Sequence, residues 1–528
     1  MKKIVDFFNQ DASVIQKNIV SYILSLPYKT KAFLLIFCGI LLYIPYANTY
    51  NTWHDDQASM LLMNYPWKEM FRLISIEDGH PPLFHTIYRL FQLGGDYHNV
   101  LALRIATLFV FFLTAMLGIF PVRRLLGDKA SLIYIILVFV LPSSIYLGIN
   151  IRMYPLALYA MTGAFAYSML VIKNESRSDW FYFALFSIIG LYTHYLCAIL
   201  LFCIWSVVFF VFLSEKQYKN ILKLLLLGLI VALIFSPWMY AFITQYGYMK
   251  NLWFPTKVLR DESLWGTVFG FRLLKNRLVY FGVISLGFLC WYIILSFMQQ
   301  VEIQKTDKKL VKYAIITFWG MYIIAYLISV FLRPMIFERL LIVPMGILYI
   351  TLSYIFSRTP KYNKIFLLLC IPVFLITYSH YYGIANDTST KEFVTEFRKK
   401  TTPKDSLIIY DGSFTQLFSD FYFSEYPKIF APKRINILLF EDEVINELKN
   451  ENKLDNFSHI YYFSIHTEKE NVYLENILLA YKNKGADFSV ITHYFDAKYE
   501  IFEISKDDAK AILNLSKPYF QIILHKKD

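Results

Sequence analysis

The chain has 528 residues, of which 57% are hydrophobic, 19% aromatic and only 17% charged, with a positive mean hydropathy. That composition excludes a soluble protein of this length. The net charge of +12 does not point to nucleic acid, because residues 383–528 hold 19 basic and 23 acidic side chains and the whole excess belongs to the apolar part before them.

Eleven apolar runs of span length are predicted, at about 31–47, 99–120, 130–148, 154–172, 180–193, 195–213, 220–243, 278–298, 312–332, 339–356 and 364–382. Residues 180–213 are too long for one span and are broken by "THYL", so they are read as two short spans with an outer turn. Lys and Arg collect in alternate connections: Lys2, Lys3, Lys17, Lys29 and Lys31; Arg123, Arg124 and Lys129; Lys216 and Lys219; Lys305, Lys308 and Lys309; Arg358, Lys361 and Lys364. This alternation predicts a multi-pass protein of the plasma (inner) membrane, with its N-terminus cytoplasmic and its C-terminal domain extracytoplasmic. The first 30 residues lack the pattern of a cleaved secretory signal, so the first span is expected to be retained. The five cysteines all fall in apolar runs, which argues against a disulfide framework.

The predicted fold class is therefore a polytopic α-helical membrane protein with a C-terminal α/β domain. Residues 1–382 form the transmembrane part, with an outer loop at 48–98, and residues 383–528 form the soluble domain. The loop carries two short amphipathic segments, "PWKEMFRLISI" and "LFHTIYRLFQL", suited to helices lying in the interface plane. A second outer loop, about 244–277, could fold over the first. After the last span, "KDSLIIYDGSFTQLFSDFYFSEY" reads as strand, turn and helix, and "SHIYYFSIH" as a strand. "NVYLENILLAYKNKGADFSVITHYF" reads as a helix stopped at Gly485 and a strand, with "YEIFEIS" and "YFQIILH" as closing strands.

The polar residues that could carry chemistry gather on the expected outer face. "NTWHDDQASM" sets Asp55 and Asp56 side by side after the first span, where mutual repulsion raises one pKa unless cations or hydrogen-bond donors hold the pair. They suit a base or a metal ligand, and they equally suit solvated acids closing a span. "EDGHPPLF" adds Glu77, Asp78 and His80 before a double proline that stiffens the bend into the second amphipathic segment. "INIRMYPLAL" puts Arg152, and "RPMIFERLLIVP" puts Arg333 and Arg339, at outer span ends, where arginine either snorkels to lipid phosphate or clamps the phosphate of a substrate.

Together these stretches resemble the polyprenyl-phosphate-sugar-dependent transferases of the glycosyltransferase-C superfamily, specifically the bacterial relatives of protein mannosyltransferases and of the lipid A aminoarabinose transferase. The resemblance rests on "WHDDQAS", "DGHPPLF", "RIATLF", "RMYPL", "THY" and "ERLLIVP", in that order along most of the membrane domain. It implies a catalytic base at Asp55, with Asp56, Asp78 and His80 positioning the acceptor or a metal. It also implies donor-phosphate binding by Arg152 and Arg339, and a cavity lined by His194 and Tyr195. Asp56 stands where the family usually has Glu, Phe84 replaces a usual Tyr, and Asn150 sits where relatives often have Glu.

The activity so implied is transfer of a sugar from an undecaprenyl-type monophosphate to a hydroxyl on the outer face, with inversion. The partners are the lipid-linked donor, a lipid, glycan or protein acceptor, and the membrane. No cofactor is certain; a divalent metal fits the acids and His80 without a diagnostic spacing. A transporter or flippase of a lipid-linked saccharide would use the same arginines but calls for ionisable groups near the bilayer midplane. A noncatalytic assembly protein would leave the ordering of the motifs unexplained.

Overall fold

The computed structural model describes residues 21–22, 25–47, 50–76, 78–92, 99–141, 144–145, 147, 150–174, 176–249, 277–300, 305–332, 342–359, 361–410, 413–430, 451–466, 481, 483–492 and 497–513. Its helices in chain order are α1 (Tyr28–Ala47), α2 (His54–Asn64), α3 (Trp67–Ile76), α4 (Leu83–Gln92), α5 (Val100–Leu117), α6 (Asp128–Val140), α7 (Tyr154–Asn174), α8 (Arg177–Thr193) and α9 (Tyr195–Ser214). There follow α10 (Tyr218–Phe235), α11 (Met239–Met249), α12 (Arg277–Gln299), α13 (Lys305–Phe331), α14 (Met345–Arg358), α15 (Lys361–Ala385) and α16 (Ser389–Lys400).

Among the described residues, seven helices are long and apolar enough to cross a membrane: Tyr28–Ala47, Val100–Leu126, Tyr154–Lys173, Tyr195–Ser214, Tyr218–Tyr246, Lys308–Phe331 and Lys361–Lys400. The other four expected spans overlap the helices α6, α8, α12 and α14. The "THYL" break is seen as α8 ending at Thr193 and α9 beginning at Tyr195.

Burial separates the bundle's centre from its lipid face. The helix α7 is apolar all round and buried nearly throughout, as a central helix must be. The outer helix α10 instead exposes Leu222, Leu225, Leu226, Leu229 and Leu233, a helical stripe that only hydrocarbon satisfies. The bundle is tight where it lacks side chains: a Cβ on Gly346 of α14 would lie 1.7 Å from Thr162 Oγ1 of α7, and one on Gly39 of α1 would lie 2.3 Å from the Phe139 ring of α6. Beyond Leu117, α5 passes through a π turn (Gly118–Val122, holding Pro121) to a basic turn, Arg123–Leu126, closed by Gly127 at φ 91°.

The C-terminal part is a five-stranded sheet. Its strands are β1 (Ser406–Tyr410), β2 (Lys428–Phe430), β3 (His459–His466), β4 (Phe488–Thr492) and β5 (Ala497–Ile504), in the order β2-β1-β3-β5-β4; a helix, α17 (Ser413–Tyr422), follows β1. The strand β1 pairs parallel with β2 and β3, while β5 runs antiparallel to β3 and β4. Every residue of β1 is buried, because Leu407 and Ile409 point into one apolar cluster and Ile408 and Tyr410 into the other. The strand-turn-helix reading, the "SHIYYFSIH" strand, the Gly485 stop (φ 90°) and the strand after it agree with these elements. The helix expected before Gly485 and the strand "YFQIILH" lie outside the described residues, except for a few at the helix end.

Candidate active site

The loop at 48–98 is built around a helix that periodicity does not reveal, α2. Asp55 and Asp56 occupy its first turn, where the helix N-terminus favours carboxylates. Because consecutive helical residues point about 100° apart, the pair is divided. Asp55 is part-exposed, whereas Asp56 is 1% exposed.

Asp56 is an internal tie. Its Oδ1 accepts the Ile151 main-chain N–H at 3.1 Å and its Oδ2 the Trp53 N–H at 3.5 Å. Burial pushes its pKa up to about 6, against the opposing pull of Arg104 and Arg152. The bond to Ile151 brings the neighbouring Arg152 onto α2, where its guanidinium donates to the Asp55 carbonyl oxygen (2.9 Å) and to Ser59 Oγ (2.6 Å).

The "DGHPPLF" bend closes the same space. The Asp78 Oδ1 lies 2.8 Å from His80 Nδ1, and an ionised carboxylate only accepts, so His80 carries its proton there and turns Nε2 elsewhere. The other oxygen, Oδ2, lies 3.3 Å from Nε2 of the buried His85. Burial alone would raise the Asp78 pKa; His80, His85 and Arg152 outweigh it and hold the group well below the usual carboxylate range. Burial pulls His85 down to about 4, so it is neutral at neutral pH.

From the other side comes the "THY" turn. His194 caps α9 by accepting the Leu196 N–H on Nδ1 (3.1 Å), and its ring lies 5.1 Å from that of His80 and 5.8 Å from that of Tyr154. Burial lowers its pKa well below the usual range. Tyr195 bonds Gln245 of α11 and receives the Trp238 indole N–H at 3.0 Å. Gln245, wholly buried, donates to the carbonyls of Ile74 (2.5 Å) and His80 (3.5 Å), so the start of the 244–277 loop folds onto the 48–98 loop.

Asp55, Asp56, Asp78, His80, Arg152 and His194 thus come together, with Tyr195 bracing the wall behind them. Arg333, Arg339 and Glu77 lie outside the described residues. Of the candidate metal donors, Asp56 accepts main-chain N–H groups and Asp78 accepts from His80, while Asp55 is part-exposed. Among the described residues no group of three or more His, Cys, Asp or Glu is disposed to hold a metal ion.

Sequence reading assigned no role to Arg104, His85, Ser59 or Gln245. Arg104 has 0% exposure and donates to the carbonyls of Tyr46 (2.5 Å) and Asn51 (2.7 Å), tying the end of α1 to the strap before α2. A lone arginine inside an apolar run was the available signal, since such a cation must find carbonyl or carboxylate partners.

The chain is a multi-pass helical membrane protein with two loops meeting at one face of the bundle and a mixed sheet after the last apolar helix, and its fold is similar to that of solved membrane proteins. The chain is similar to ArnT from Cupriavidus metallidurans in the apo state, with a TM-score of 0.56 and 11% identity over 90% of this chain and 98% of that one. The crystal structure of ArnT bound to undecaprenyl phosphate matches equally, with a TM-score of 0.56 and 11% identity over 89% and 97%. Likeness to the archaeal oligosaccharyltransferase AglB from Archaeoglobus fulgidus is weaker, with a TM-score of 0.46 and 11% identity over 82% of this chain and 69% of that one. No protein-family model and no curated protein matches the sequence.

Proposed function

We propose that the chain is a membrane glycosyltransferase that moves a sugar from a polyprenyl-phosphate donor to an acceptor hydroxyl at the outer face. The observation that carries this is the apposition of Asp55 and Arg152, a part-exposed carboxylate and a guanidinium joined through the Asp55 carbonyl at 2.9 Å. A base and a permanent cation side by side suit a reaction in which a hydroxyl loses its proton while a phosphate gains charge.

In the proposed step the acceptor oxygen attacks the anomeric carbon, the bond from that carbon to the phosphate oxygen breaks, and Asp55 takes the hydroxyl proton. Such general-base help is worth ~10² to 10⁴ in rate. Arg152, with Arg339 as its expected second, offsets the charge left on the departing lipid phosphate. His80, held through its Nδ1–H by Asp78, has its ring fixed at the rim of this site. Direct attack inverts the anomeric centre, and product NMR showing retention would refute it.

The outer-face assignment is supported by α5 itself. Arg104 is at the site end and Arg123 at the other, 19 residues of nearly continuous helix away, or about 28 Å at 1.5 Å per residue. That is about the thickness of the hydrocarbon core, so the site and the basic turn lie at opposite membrane faces, and the positive-inside rule supports reading the basic turn as the cytoplasmic end.

The test is Asp55→Asn in the producing cell, with membrane levels confirmed. Envelope glycans and polyprenyl-phosphate sugars are then compared by mass spectrometry. Loss of one sugar with accumulation of its lipid donor is the expected result; an unchanged profile in a normally expressed variant sinks the proposal.

A further inference from the structure

The strap that leads into α2 is held by the far end of the chain. Asn51 Nδ2 donates to the carbonyls of Asp387 (2.7 Å) and Ile384 (3.2 Å), at the exit of α15. Thr52 Oγ1 lies 3.2 Å from the Tyr422 hydroxyl of α17, and Tyr50 stacks on the Tyr422 ring with centroids 5.4 Å apart. The next residue held is His54, whose Nε2 is hydrogen-bonded to the hydroxyl of Tyr499 on β5. Tyr499 has 0% exposure and stacks on Phe418 at 4.3 Å with the rings 24° apart.

The placement of this bond carries the inference. His54 opens α2, and Asp55 follows it directly. Two apolar side chains would pack in this buried corner without needing partners, whereas a histidine and a tyrosine that bond each other tolerate one mutual orientation. Burial pulls His54 down to about 4, so at neutral pH the imidazole is uncharged and its Nε2 can accept the hydrogen bond from the tyrosine hydroxyl. Arg152 holds the same turn from the bundle side, through the Asp55 carbonyl. The first turn of α2 is therefore gripped between the membrane bundle and the sheet.

We infer that Tyr499 is a positioning residue for the transfer reaction: through His54 it sets the first turn of α2 and with it the place of Asp55, so the outer sheet is a working part of the active site. This rests on the proposed transferase reading. It differs from a role for the sheet as a lid or an acceptor dock, because Tyr499 acts on the base's own helix and touches no substrate.

The test uses the purified full-length chain and a double-mutant cycle of Tyr499→Phe and His54→Leu. Tyr499→Phe deletes one oxygen and keeps the stacking on Phe418. Each single change is expected to lower kcat on the order of tenfold, the scale of a misplaced catalytic group, with KM for the lipid donor nearly unchanged. The double variant should be no slower than the slower single one. His54→Gln, which keeps a hydrogen-bonding side chain, should recover most of the kcat that His54→Leu loses, and it preserves the test if the leucine variant does not fold. Multiplying losses in the double variant, or a normal kcat in Tyr499→Phe, overturns the inference.

Amide hydrogen exchange over residues 52–60 reads the contact without the reaction and separates the two hypotheses. Faster exchange there in Tyr499→Phe is expected together with the fall in kcat; unchanged exchange overturns the inference whatever Asp55→Asn does. Full activity in Asp55→Asn removes the transferase reading, while the exchange still reports whether Tyr499 holds the turn.

Discussion

Asp55 and Asp56 differ by one position and about a quarter-turn of helix, and that turn sends one carboxylate to the opening and the other into main-chain N–H groups. The folded protein holds Asp56 at a pKa of about 6, above its ordinary value of 3.8. A raised folded pKa stabilises below the unfolded value and loses that contribution as pH rises through the folded one. The Asp56 contribution is therefore lost as pH rises from about 4 to about 6, against the gain from His54 and His85, whose lowered folded pKa values of about 4 favour the folded state as pH rises over that range. Asp56→Asn, which still accepts from Ile151, should make the thermal midpoint of the purified protein climb more steeply with pH there. An unaltered slope in the variant would show that Asp56 does not titrate there. Arg104 belongs to the same scale. Arg104→Met strips a buried cation from two carbonyls and from Asp56, and should cost about 3 kcal/mol, read as a lowered midpoint together with lost activity.

Helices meet here through absent side chains as much as through present ones. Gly346 lets α14 lie against Thr162 of α7, where a Cβ would come 1.7 Å from the hydroxyl oxygen. Gly346→Ala should destabilise by about 1–3 kcal/mol through overpacking, and Thr162→Ala on top of it should restore part of the loss. Thermal midpoints of the two variants check this, and failure of the second change to help would mean the helices simply slide apart. The amphipathic segments α3 and α4 follow from their spacing. In α4 the inner face also carries His85, a polar residue whose place beside Asp78 comes only from the fold.

Across the whole molecule, charge sets orientation and the apolar helices set depth. The basic turn at Arg123 and Arg124 and the acidic, histidine-rich loop lie at opposite ends of the helices that connect them. An impermeant thiol reagent is expected to label Ser178→Cys only after the membrane is opened and Lys399→Cys from outside, in chains freed of native cysteines. The reverse pattern would invert the topology and remove the outer-face reading.

Much of this was legible in order along the chain, because membrane insertion is decided segment by segment from hydropathy and flanking charge. So were the strands β1, β3 and β4 and the stop at Gly485, where alternation and a positive φ are local properties. The helix α2 was not, since its eleven residues mix polar and apolar positions and gain their helix from burial against α4 and α17. Nor were the bonds of Arg104 to Asn51, Gln245 to Ile74 and Tyr499 to His54, which join residues 53, 171 and 445 positions apart. Local pattern determined which segments cross the membrane and which residues could do chemistry. Only the packed structure decided which carboxylate is buried and which arginine meets it, because burial and hydrogen-bond geometry are properties of contacts between distant segments.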